Sequence, residues 1–155
     1  MNSEKAEYFE FRARTREPGE RDELVPDYTQ VIPDFERAIA LDPSLVSARI
    51  EVGLCLVKVV SGRSVVRHKQ AMETGSKVSR TDEDRRYDRH LSERARQHGQ
   101  AAVDMDPTKE YGHFVLGVAL CQLGQSEEAL AALERGLEHC PDSPALQKQV
   151  SRCRS

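Results

Sequence analysis

Residues Tyr111 to Pro141 read YGHFVLGVALCQLGQSEEALAALERGLEHCP, and the fold of the chain follows from how this stretch divides. Pro107 and Pro141 bracket it. Between them lie two runs of equal length, Glu110 to Leu123 and Ser126 to His139, with apolar side chains at helical spacing. Each would make roughly 21 Å of helix at about 1.5 Å per residue. Gly124 suits the left-handed position that ends the first helix. Ser126 is expected to cap the second, with Glu127 and Glu128 in a first turn whose dipole favours them. Pro141 closes the unit. Gly117 and Ala129 are small, as two closely crossing helices require. One such hairpin cannot bury its apolar face alone, so neighbours must flank it.

The spacing within the stretch is His113-x2-Leu116-Gly117-x2-Leu120, then Ala129-x3-Leu133-x2-Gly136-x4-Pro141. It resembles the tetratricopeptide repeat, whose signature is W-x2-L-G-x2-Y…A-x3-F…P. Pro107 and Pro141 are separated by one period of that repeat. His113 stands at the usual Trp and Leu120 at the usual Tyr. Two partial copies precede it. Val31-x3-Phe35-x2-Ala38-x4-Pro43 matches the second half of a repeat, and Arg49-x2-Val52-Gly53-x2-Leu56 matches a first half. The partner of that first half is Ala95-x3-Gly99-x2-Ala102-x4-Pro107. Ala95 lies much further beyond Gly53 than Ala129 lies beyond Gly117. Against the regular period, the middle repeat therefore carries an excess of about 30 residues.

The resemblance implies an all-α, short helical-hairpin solenoid with an extended or inserted middle repeat. It also implies a non-enzymatic adaptor whose concave groove, lined by the first helix of each hairpin, holds a partner helix or peptide. One subclass of the family clamps acidic chain ends with Lys, Asn and Arg. The corresponding positions here are Ile50, Leu54, Phe114 and Val118, which speaks against such a clamp.

Composition narrows the function classes. In 155 residues, Trp is absent and aromatic residues are only 5%, which suits helices better than a β-sandwich. The net charge of −3 is too small to point to nucleic acid or membrane by itself. No apolar run approaches the length of a membrane span, and MNSEKAEYFEFRARTREPGE is too charged for a signal peptide. The four cysteines, Cys55, Cys121, Cys140 and Cys153, form no C-x2-C pair. A reducing, cytoplasmic setting is the expectation.

Residues 1–24 hold seven acidic and five basic side chains, with Ala6, Tyr8, Phe9 and Phe11 to bury. They read equally as a charged arm or as a docked helix ahead of a domain spanning 25–155. Pro33 is expected at the first helical position of the next element. Residues 144–155 form a C-terminal capping helix whose polar face carries Gln147, Lys148, Arg152 and Arg154. Three arrangements suit the insert at 61–91. In the first, both flanking helices are longer, with Thr81 capping a helix that aligns Tyr87, Leu91, Ala95, His98 and Ala102. A loop from Ser61 to Arg80 is the second arrangement, and an extra short helix pair is the third.

Catalytic and metal signatures are missing. His90 and His98 are eight apart and lack an H-E-x-x-H or C-x2-C companion. His139, Cys140 and Cys153 suggest zinc only weakly, because the helix dipole accounts for a terminal His139. His113 is expected to pack in the core. GQSEEA lacks the glycines and lysine of a phosphate loop. Neither an enzyme nor a cofactor is expected.

Two candidate surfaces remain. Residues 61–100 hold ten Lys or Arg against six Asp or Glu. Arg63, Arg67, Lys69, Lys77, Arg80, Arg85, Arg86 and Arg89 would form a basic insert, either a solvated helical surface or a contact for an acidic partner. With only Tyr87 as an aromatic, the insert speaks against nucleic acid as its ligand. The second surface is apolar. Tyr111, Phe114, Val118 and Cys121 follow 3-4-3 spacing, and Ile50, Leu54 and Val57 repeat it one unit earlier. Stacked side by side, they form a strip that needs a cover. That cover is a partner protein or peptide, a second copy of the chain, or Tyr8, Phe9 and Phe11.

Overall fold

The computed structural model describes residues 5–7, 28 and 31–155. It is all-α, and the described residues contain no strand. Within 31–155, six helices follow one another: α1 Val31–Leu41, α2 Val46–Thr74, α3 Asp82–Met105, α4 Glu110–Gln122, α5 Ser126–His139 and α6 Pro144–Arg154. Residues 5–7 are also helical, and Ala6 is fully buried. Tyr8, Phe9 and Phe11 lie outside the described residues. Each helix packs on the next, and α2 on α4 and α4 on α6 add a contact between alternate helices. This nearest-neighbour pattern is that of a helical solenoid.

The turns between hairpins repeat the same chemistry. Asp42 Oδ1 accepts from the Ser44 amide at 3.0 Å and from its hydroxyl. Asp106 Oδ1 accepts from the Thr108 amide at 3.0 Å and hydroxyl at 2.6 Å. These bonds hold both carboxyls below their ordinary pKa, the hydroxyl contributing most. A second bond closes each turn from six residues downstream. Arg49 donates to the Pro43 carbonyl at 3.1 Å, His113 Nε2 to that of Pro107 at 2.9 Å, and Gln147 to that of Pro141 at 2.8 Å. Gln147 therefore places α6 in the register of a first helix.

Local details correct three expectations. Helix α1 starts at Val31, so Pro33 is its third residue; first-turn amides have no intrahelical acceptor, and the missing N–H costs little there. Gln125 occupies the cap of α5, without a side-chain capping bond, and Ser126 is the first helical residue. The Gly124 turn, at φ 80°, sets Gln125 one position early. In α3 the buried stripe is Asp88, Leu91, Ser92, Ala95, Gly99 and Ala102. Leu91, Ala95 and Ala102 are buried as expected, whereas Tyr87 is half exposed and His98 only partly buried, so the buried face is shifted toward Asp88, Ser92 and Gly99.

The added residues of the middle repeat lengthen both helices into one hairpin. Helix α2 continues through a buried Gly62 to Thr74, and Gly75, at φ 63°, ends it. Thr81 opens α3 with a capping box: its hydroxyl accepts from the Asp84 amide at 3.0 Å, and Asp84 accepts from the Thr81 amide at 3.1 Å.

The core runs along the stack. Phe35, Val52, Cys55, Leu56, Val60, Leu91 and Val115 form its central cluster, joining α1 to α4. Leu116, Leu120, Ala129 and Ala132 join α4 to α5, and Leu133, Leu146 and Val150 join α5 to α6. Gly99 permits a close approach of one helix to the backbone of another. A Cβ there would meet the Leu116 amide nitrogen at 2.8 Å and its Cα at 3.0 Å, closer than backbone atoms can yield.

Candidate functional site

Helices α2 and α4 carry the apolar strip and are fastened together by Gln122. Its Nε2 donates to the Val57 carbonyl at 3.0 Å and to Ser61 Oγ at 3.2 Å, while its Oε1 accepts from Ser92 Oγ at 3.1 Å. One side chain thus ties α2, α3 and α4. Of the seven strip residues, Ile50 and Val57 are buried. Leu54, Phe114 and Val118 are half-buried, and Tyr111 and Cys121 are exposed. Leu54 and Val118 pack on the central cluster, whereas Phe114 packs on Leu133, Leu146 and Val150. The Tyr111 ring meets Phe114 edge-on, with centroids 6.1 Å apart and planes at 71°. Tyr111, 46% exposed, is the large apolar side chain of the strip most open to solvent.

The basic insert is organised around a carboxylate that the sequence reading did not single out. Asp88 is buried. Its Oδ1 accepts from Arg63 Nε at 2.7 Å, and its Oδ2 accepts from Arg67 at 3.0 Å and Arg80 at 2.8 Å. Arg63 also reaches Asp84 at 2.8 Å and lies 4.9 Å over the Tyr87 ring. Arg85 pairs with Asp82, and Lys69 lies 3.8 Å from Glu73. Lys77, Arg86 and Arg89 make no ion pair among the described residues. Five of the eight cations therefore face carboxylates, which consume much of the positive surplus. A signal for Asp88 existed in the sequence, since it shares a helix face with Leu91 and Ala95.

A polar crevice between α3, α4 and α5 is lined by Gln100, Asp104, His113, Arg135 and His139. The His113 and His139 rings stack at 5.8 Å. Among the described residues, no three metal-ligating side chains converge and no helix is long and apolar enough to cross a membrane.

The tetratricopeptide repeat family matches this sequence at residues 110–143, which covers α4, α5 and the turn into α6. Residues 110–143 are thus a tetratricopeptide repeat. Among solved structures, the chain is similar to the Arabidopsis OM64 TPR domain at a TM-score of 0.62. The likeness covers 99% of this chain and 98% of that one at 14% identity, so it is a likeness of fold. No curated protein matches the sequence. Within the matched tetratricopeptide repeat, His113 takes the signature Trp position as a buried hydrogen-bond donor as well as a packing residue.

Proposed function

We propose that this chain is a non-enzymatic protein–protein interaction adaptor that holds a partner helix or an extended apolar peptide against α2 and α4. The tetratricopeptide-repeat fold supports a protein-binding role in general. The observation that carries the finer reading is the exposed Tyr111 ring set edge-on against Phe114, on the helix that also leaves Val118 partly exposed. Aromatic side chains with an apolar body and a polar tip are favoured anchors at interfaces. The groove positions Ile50, Leu54, Phe114 and Val118 offer no cation, which favours an apolar ligand over an acidic chain end.

Tyr111 is the residue to test. Phe114 also supports α6 through Leu146 and Val150, so charging it would disturb stability together with binding. In affinity capture from native extract, Tyr111→Glu should lose the partner that the wild-type chain retains, with a melting temperature within about 2 °C of wild type. Retention of the same partner by the variant would sink the reading.

A further inference from the structure

Cys121 lies near the end of α4 and Cys153 in the last turn of α6, and their Sγ atoms are 3.2 Å apart. Both are free thiols, and Cys121 is exposed. Their helices pack directly on each other, and Cys153 touches the apolar clusters that join α4, α5 and α6. The other two cysteines are placed differently: Cys55 is buried in the central core, and Cys140 donates to the Thr108 carbonyl at 3.3 Å.

We propose that Cys121 and Cys153 are an oxidation site, closed into a reversible disulfide by small-molecule disulfides such as oxidised glutathione. The sulfurs need only about 1 Å of side-chain motion to reach a bond of ~2.05 Å. The exchange balances as two protein thiols and one glutathione disulfide giving one protein disulfide and two glutathione thiols. Partial burial and the hydrogen bond shared with Cys153 push the Cys121 thiol up to about 12, which makes it a poor opening nucleophile. Cys153 therefore attacks first and releases one glutathione. Cys121 then gives its proton to solvent and displaces the second glutathione from the mixed disulfide. The new bond joins α4 to α6 around α5. It also fixes the helix whose Leu146 and Val150 support Phe114.

The test is mass spectrometry of the folded chain after equilibration in oxidised and reduced glutathione, with peptide mapping. Expected is an intramolecular loss of two hydrogens mapped to Cys121 and Cys153, reversed by reductant. It should persist in Cys140→Ser and vanish in Cys121→Ser and Cys153→Ser. The oxidised wild-type chain should melt about 5–10 °C above the reduced one. Stable glutathione adducts, intermolecular dimers, persistence of the loss in Cys153→Ser, or an oxidised form that melts no higher would each overturn the proposal.

Discussion

His113 Nε2 lies 2.9 Å from the carbonyl oxygen of Pro107, the residue that closes the preceding repeat. A carbonyl only accepts, so the imidazole carries its hydrogen on Nε2. Arg49 and Gln147 make the same six-residue reach to Pro43 and Pro141. What these three positions share is a nitrogen donor on a long side chain, not an aromatic ring.

This sharing predicts a rescue. His113→Leu leaves the Pro107 carbonyl without that donor and should cost about 1–3 kcal/mol in urea unfolding. His113→Gln, which puts the donor of Gln147 in its place, should recover at least half of the loss. Equal losses for both variants would show that His113 acts by packing alone.

Asp88 should behave as the keystone of the extended hairpin. It is buried and serves three guanidinium groups, two of them substantially screened from solvent. Asp88→Leu should cost about 2 kcal/mol, less than a fully buried pair because Arg80 is well solvated. Arg80→Ala, which removes the most exposed partner, should cost under about 1 kcal/mol. Hydrogen exchange in the Asp88 variant should quicken first at the N-terminal end of α3.

Two glycines predict opposite outcomes. Gly99→Ala forces a Cβ against the Leu116 backbone and should destabilise by about 2 kcal/mol or more. Gly112→Ala meets nothing nearer than Val103 Cγ2 at 3.4 Å and should be neutral or stabilising by about 0.5 kcal/mol. Thermal melts of the two variants decide it.

His98 gives a signature in pH. Its Nδ1 is buried without a hydrogen-bond partner. Burial first, then the Arg49 guanidinium, lowers its pKa from 6.5, against an opposing pull from Glu36. The unfolded chain therefore takes up the proton first. Stability from the neutral imidazole is fully present above about pH 6.5 and is lost as pH falls from there toward the lowered folded-state value. His98→Gln should flatten the stability curve in that window, and an unchanged slope would refute the assignment.

The repeat at α4 and α5 was legible because it is local: its glycines, its closing proline and its 3-4 spacing all lie within one short stretch. Thr81 was legible as a cap for the same reason, since a capping box involves residues three apart. Asp88 was not. A carboxylate in a core register becomes intelligible only when Arg63 and Arg67 arrive from another helix and Arg80 from the turn. That pairing draws Asp88 inward on the face of Leu91 and Ala95 and leaves Tyr87 outside. The strip was legible as a set of apolar positions. How deeply each member sinks depends on helix rotation, which is why Val57 is buried while Tyr111 stands open.

Helix α2 runs without a break from Val46 to Thr74. Its first half carries Ile50, Leu54 and Val57, and its second half carries the Arg63 and Arg67 that grip Asp88. At 29 residues against 13 for α4, it extends beyond its neighbour by roughly 24 Å. The apolar strip and the distal tip are thus two ends of a single lever. In the proposed binding mode, a load applied near Gly75 would reach the partner at Leu54 along one rod.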